Sequence, residues 1–234
     1  MEDKSIALSL GPDIDLFAVF DGHGGSSVSN LLEAEFPQMV TGVLKVSDSS
    51  TLINNLTAGF RSLDNVFSRH TAGSTATGAL IIQNDIYVFN LGDSRTYVLD
   101  NNYNTIFETL DHKPGDENET FRIKNSGGYV ERNRVNGILA VSRAFGDSDF
   151  KRKTDDYGDY TVSSTPDIRH VRLESGYVVI GCDGVWDVLN MSDIENEVKK
   201  LDCKGLVQKA FDNLSSDNIS AIIVKVWVLI IAPQ

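Results

Sequence analysis

The stretch FAVFDGHGG, residues 17–25, decides how the chain is read. Apolar residues from Phe17 to Phe20 stop abruptly at Asp21, and Gly22, His23, Gly24 and Gly25 follow. The same break recurs. IYVFNLG ends on Asp93-Ser94, YVVIGC ends on Asp183-Gly184, and Asp217-Asn218 precedes the apolar run that starts at Ile219. One Asp-Gly after a strand is ordinary turn chemistry. Four such aspartates against strongly apolar runs are harder to explain that way. In an antiparallel sheet the start of one strand lies beside the end of its neighbour, so Asp217 can share an edge with Asp21 or Asp183.

Carboxylates gathered at an edge repel each other, and each loses solvation. A divalent cation relieves both costs, and hard ions such as Mg²⁺ or Mn²⁺ take oxygen ligands. With four His and two Cys in the chain, a structural zinc site is disfavoured. Gly22 lets a backbone carbonyl approach the same ion, and Gly24 and Gly25 allow a tight turn into a following helix. His23, a plain turn histidine on the bland reading, is held near that edge as a proton donor on the functional one.

The bulk properties agree. The 234 residues carry a net charge of −12, and no Lys/Arg cluster stands out. Nucleic acid is excluded as a partner on that ground, because phosphate-backbone binding needs a basic face. An anionic substrate would need its positive charge from a metal ion. Cys182 and Cys203 lack CxxC spacing and read as reduced thiols of an intracellular, cytoplasmic or nuclear, protein. The start MEDKSIALSL has no signal-peptide character, and the apolar run 226–232 is too short to cross a bilayer.

No linker divides the chain, so one domain is expected over 1–234. Helices are predicted over 28–44, ended or kinked by Pro37, and over 52–67, where Ser49 or Ser50 would cap. Ser192 to Glu195 has the form of a capping box, with a further helix at 204–214. Residues 75–82, 85–92, 95–100 and 105–110 read as short antiparallel strands. Residues 176–183 and 219–228 read as strands buried on both faces. The simplest layering is α+β, with helices outside two stacked antiparallel sheets. Trp186 and Trp227 are expected in the core, and the mixed charges of 147–160 predict a solvated loop, with substrate selection as its functional alternative.

The ordered set MED (1–3), FAVFDGHGG, GSTATGAL (73–80), NLGDSRTYVL (90–99), DHKP (111–114), NSGGYV (125–130), RVNGILAVSRAFGD (134–147), VVIGCDGVWDVL (178–189) and SSDNISAIIV (215–224) resembles the metal-dependent Ser/Thr phosphatases of the protein phosphatase 2C family. The resemblance implies a four-layer α-β-β-α sandwich and two Mn²⁺ or Mg²⁺ ions, with a third, weaker site. It implies that Asp21 bridges both ions, that the Gly22 carbonyl binds one, and that Asp183 and Asp217 ligate the other. Glu2 and Asp3 match acidic residues that hold metal-bound water or stand just behind it, and Asp93 matches a ligand of the third ion shared with Asp183. Water bridging the two ions would attack the phosphorus of phosphoserine or phosphothreonine in a protein substrate, and His23 matches the proposed general acid. A monomer without membrane insertion is expected.

One departure stands out. The family pattern places a phosphate-binding arginine a few residues before MED, and this chain begins at Met1 of that segment. Lys4, Arg95 and Arg143 are the candidate substitutes, although Arg143 also suits anchoring the flap or the DHKP turn. Weakened phosphate affinity with intact metal binding is expected, and Glu2 and Asp3 should be loosely held so near the chain start. The missing arginine leaves two alternatives to an active phosphatase, a pseudophosphatase scaffold and a metal-binding module with little catalysis.

Overall fold

A computed structural model of the chain describes residues 1–44, 48–151 and 158–227. The chain opens with strands β1 (Lys4–Gly11) and β2 (Ile14–Phe20), the two-residue β3 (Gly22–His23), and helices α1 (Ser27–Val43) and α2 (Ser49–Asp64). Strands β4 (Gly73–Ser74), β5 (Ala76–Ile82), β6 (Asp85–Leu91), β7 (Arg95–Leu99) and β8 (Thr105–Glu108) follow, then α3 (Glu117–Asn125). After the small hairpin β9 (Val130–Glu131) and β10 (Arg134–Val135) come β11 (Phe145–Gly146), β12 (Asp167–Arg172) and β13 (Ser175–Gly181). The last elements are the single turn α4 (Asp183–Trp186), α5 (Met191–Lys200), α6 (Cys203–Asp212) and β14 (Ala221–Trp227).

Among the described residues, one antiparallel sheet has the order β1-β2-β5-β6-β12 and a second has the order β14-β13-β7-β8. Side chains alternate between the two faces of a strand. On β2, Leu16, Ala18 and Phe20 pack under α1 and α2, whereas Phe17 and Val19 face the second sheet. Ile194, Val198, Leu206 and Ala210 of α5 and α6 cover the outer side of that second sheet. The result is the expected α-β-β-α sandwich. Between its sheets the hydroxyl pairs Thr77–Thr96 (2.9 Å) and Thr75–Ser94 (2.8 Å) satisfy each other inside an otherwise apolar layer.

Several details correct the sequence reading. Helix α1 runs unbroken through Pro37. The carbonyl that Pro37 leaves without a donor belongs to Glu33, an exposed residue, so it is not trapped in the core. The cap of α2 is Asp48, which accepts from the Thr51 N–H at 2.8 Å, one residue before the serines expected there. The capping box of α5 lies two residues early, between Asn190 and Asp193. Strands β6 and β7 do not pair, because the Gly92–Ser94 turn carries the chain from one sheet to the other. Strand β14 is an edge, only half-buried, and Trp227 at its end is exposed while Trp186 is in the core. Helix α3 went unpredicted because its sequence is polar and buries only Glu119 and Ile123; ion pairs of Glu119 with Arg122 and Arg143 hold it in place. In 147–160, Asp147 is buried and Lys151 partly buried rather than solvated, and residues 152–157 lie outside the described set, as do residues 228–232 of the apolar run.

The packing under the first sheet centres on aromatic rings. Phe36 is fully buried and meets Phe20 and Phe60 edge-on, with centroids 5.3 and 5.2 Å apart. Replacement of Phe36 by Ala is expected to lower unfolding free energy by about 3–5 kcal/mol in urea titration. A loss below about 1 kcal/mol would contradict a close-packed cluster at this position.

Candidate metal centre

Strand direction assembles the site. Strands β2 and β6 are both antiparallel to β5, so both end at the same edge of the first sheet. The turn after β6 carries Asp93 across to the second sheet. There β13 is antiparallel to both neighbours, and its last residue, Gly181, lies opposite Arg95 of β7 and Ala221 of β14. Asp21 after β2, Asp93 before β7, Asp183 after β13 and Asp217 before β14 are therefore delivered to one end of the sandwich. Thr75 ties the layers together here, because its hydroxyl accepts from the Asp21 N–H at 3.2 Å and bonds Ser94 at 2.8 Å.

The chain start joins them. Asp3 is buried, the Glu2 N–H donates to Asn218 Oδ1 at 2.6 Å, and the Ser29 hydroxyl donates to the Glu2 carbonyl. Glu2 and Asp3 are thus tied into the fold, contrary to the loose terminus expected from their position. Gly22 explains the approach: a Cβ there would stand 2.5 Å from the Glu2 carbonyl oxygen. Gly24 and Gly25 have φ of +68° and +124°, the backbone that turns the chain from His23 into α1.

The electrostatics are those of crowded carboxylates. Burial, and then the charges of Asp3, Asp183, Asp93 and Asp217, push the Asp21 carboxyl up to about 10. Burial, then Asp93, Asp217 and Asp187, raise Asp183 to about 6. Burial also raises Asp3, against opposing bonds from Ser220, Cys182 and Asp21. Both Asp3 oxygens and Asp183 Oδ1 are buried without a well-formed hydrogen bond. Asp217 is exposed and lies close to Asp183, since a Cβ on Gly184 would be 3.4 Å from its Cβ.

Orphaned, oxygen-only donors with strongly disfavoured charge fit a hard divalent cation. The carboxylates face one another without closing into a cage; among the described residues, no three His, Cys, Asp or Glu side chains stand in ligating geometry.

His23 sits beside this cluster, with Nε2 2.8 Å from Asp147 Oδ2. Burial works against its protonated form, but the bond to Asp147 and its charge, then Asp93 and Glu2, outweigh burial and raise its pKa. Two of the candidate arginine substitutes are already committed. Arg95 grips Asp111 with two bonds of 2.5 and 2.9 Å, and Arg143 binds Glu119, Asp167 and the Thr165 carbonyl. Arg143 therefore anchors α3 and the segment before β12. His112 accepts from the Gly92 N–H rather than only capping its own turn. Among the described residues, Lys113 reaches the cluster, its Nζ donating to Asp93. Lys113 and Asp147 were missed in the sequence, although both lie inside quoted segments, DHKP and AFGD.

Comparison with known proteins gives a consistent result. The family model "Protein phosphatase 2C" matches residues 1–219. Human protein phosphatase 1B is 34% identical over 96% of this chain, which spans 54% of that protein's length. Probable protein phosphatase 2C 45 of Oryza sativa subsp. japonica is 33% identical over 92% of the chain and 78% of its own length. Thus the chain spans about half the length of the human relative and more of the rice one. Among solved structures, a C. elegans sex-determining protein is 31% identical with a TM-score of 0.81, covering 96% of this chain and 61% of that one. A Toxoplasma gondii phosphatase, at 24% identity and a TM-score of 0.78, covers 95% and 87% and supports the fold alone. On the extent of these matches and the ordered motifs that underlie them, the chain belongs to the protein phosphatase 2C family.

Proposed function

We propose that this chain hydrolyses phosphoserine and phosphothreonine in protein substrates in a reaction dependent on Mn²⁺ or Mg²⁺. The observation that carries the reading is the delivery of Asp3, Asp21, Asp93, Asp183 and Asp217 to one end of the sandwich, where their charges disfavour one another. Asp21, with the Gly22 carbonyl, and Asp183 with Asp217 would hold two ions. Glu2 and Asp3 would orient water around them, and Asp93 with Asp183 would offer a weaker third position. Bound there, divalent ions lower the pKa of water and offset the charge of a phosphate dianion.

The protein's own groups supply the rest. His23, whose neighbours favour its protonated form, donates a proton to the serine or threonine oxygen as the P–O bond breaks. Lys113, which bonds Asp93, brings a side-chain cation to the cluster and would help offset the charge of a bound phosphate. A cleft of about 550 Å³, bounded by Arg95, Asp111, Lys113, Glu119, Arg143 and Asp167, connects with the cluster through Lys113, which bonds Asp93, and would give a peptide room. A reducing, intracellular compartment suits the two free thiols, Cys182 and Cys203.

Hydrolysis of p-nitrophenyl phosphate and of a phosphoserine peptide, with and without Mn²⁺, tests the reading. Activity should require the metal, and Asp183→Asn should lower it by more than the ~10–100-fold typical of losing an outer-shell partner. Metal binding without turnover would favour a scaffold or a binding module instead. His23→Ala should slow peptide turnover by about 10²–10⁴-fold and cost less on p-nitrophenyl phosphate, whose leaving group needs little protonation. Equal losses on both substrates would remove His23 from the proton-transfer role.

Metal-free protein gives a separate check. Asp21 keeps its proton up to about pH 10 when folded and up to an ordinary 3.8 when unfolded. The folded state therefore binds more protons across that window, and stability falls as pH rises through it. Asp183 acts with the same sign between 3.8 and about 6. The urea midpoint in EDTA should fall from about pH 5 to about pH 8, recover with Mn²⁺, and vary less in Asp21→Asn. A flat profile that Mn²⁺ leaves unmoved would contradict charge crowding at the sheet ends.

A further inference from the structure

We infer that Asp147 is a positioning residue for His23, fixing which imidazole nitrogen faces the substrate; this deepens the phosphatase reading and rests on it. The two residues are 124 positions apart, yet Nε2 of His23 stands 2.8 Å from Oδ2 of Asp147. Asp147 is almost fully buried, with its side chain 3% exposed. A carboxylate only accepts, so Nε2 is the nitrogen that donates to it. Nδ1 is thereby left to carry the transferable proton.

The backbone around the pair is built for this contact. Strands β3, β4 and β11 form a small sheet in which Gly73 of β4 pairs with His23 on one side and with Gly146 on the other. A Cβ on Gly73 would stand 2.1 Å from Asp147 Oδ2 and 2.3 Å from His23 Nε2. Glycine between them is what allows the two side chains to meet. Asp147 itself holds a left-handed φ of +50°, uncommon for a residue with a side chain. Its N–H donates to the Ala72 carbonyl at 3.0 Å.

A buried ion pair holds the loop from below. Asp64 accepts from the Gly146 N–H at 2.9 Å, and Lys151 bonds both Asp64 (2.5 Å) and the Ala144 carbonyl (2.8 Å). An unfavourable backbone held by several independent bonds at a candidate site is the pattern of preorganisation.

In the reaction, the protonated ring gives its Nδ1 proton to the leaving serine or threonine oxygen as the P–O bond breaks. Water supplies the hydroxyl that ends on phosphorus and releases its proton to solvent, and solvent returns a proton to Nδ1 before the next turnover. The ring is left neutral, with its Nε2 proton still donated to Asp147. A carboxylate behind an imidazole in this way sets the tautomer and stabilises the charged ring.

The test is steady-state kinetics of Asp147→Asn with Mn²⁺. On a phosphoserine peptide, kcat should fall at least about tenfold with KM little changed, and the loss on p-nitrophenyl phosphate should be smaller. Added to His23→Ala, Asp147→Asn should cost nothing further, as expected for residues acting as a unit. Equal losses on both substrates, or a full additional loss in the double variant, would overturn the proposal. A readout independent of variant folding is the ¹⁵N spectrum of His23 in the wild-type Mg²⁺ protein at high pH. The proton should reside on Nε2, and an Nδ1–H tautomer would refute the assignment. Wild-type protein inactive on both substrates would instead reject the phosphatase reading itself.

Discussion

Carboxylates at the ends of strands that finish at one edge cannot all ionise there without a counter-charge, and the rest of the molecule is arranged around that conflict. Four strand ends bring Asp21, Asp93, Asp183 and Asp217 together, and the chain start adds Asp3 beneath them. The apolar layers behind give a rigid base that cannot relax to separate them. Phe17, Val19, Val178 and Ile180 belong to the same packed layer between the sheets, so the aspartates that follow β2 and β13 are fixed by hydrophobic packing. The conflict is structural in origin and chemical in consequence, because a hard cation answers it better than any rearrangement of side chains.

Cationic side chains near the cluster serve mostly to hold the frame. Arg95 and Arg143 are spent on Asp111, Glu119 and Asp167, which fasten the DHKP segment, α3 and the start of β12 around the cleft. Lys151 is spent on Asp64 beneath the loop that bears Asp147. Lys113 alone among these reaches an aspartate of the cluster. Breaking any of the buried pairs would strand a charge in low dielectric, so these contacts specify geometry more than they add net stability.

Much of this is legible in the sequence. Apolar runs that stop on aspartate marked the strand ends, and the spacing of Leu52, Leu56, Phe60 and Leu63 marked the buried face of α2. Local signals are weaker where polar residues compete for the same backbone donors, which is why the caps at Asp48 and Asn190 lie one or two residues before the positions the sequence predicts. Strands β1 and β12 escaped notice because edge strands are half-exposed and carry mixed residues. Pro37 shows the opposite case, a breaker overruled because Phe36 and Val40 on the same helix are locked in the core.

Sequence alone determined the residue types at the strand ends, the glycines that let backbone approach backbone, and the order of motifs that marks the family. It determined them because turns, apolar periodicity and charge act over a few neighbouring residues. Only the tertiary structure decided which distant groups meet. Asp147 reaches His23 across Gly73, Lys113 reaches Asp93, and the arginines turn inward to acidic partners, because those pairings depend on sheet order and on the crossing between sheets at Gly92–Ser94. No short-range pattern encodes a contact between residues 124 positions apart; the packing of the two layers creates it.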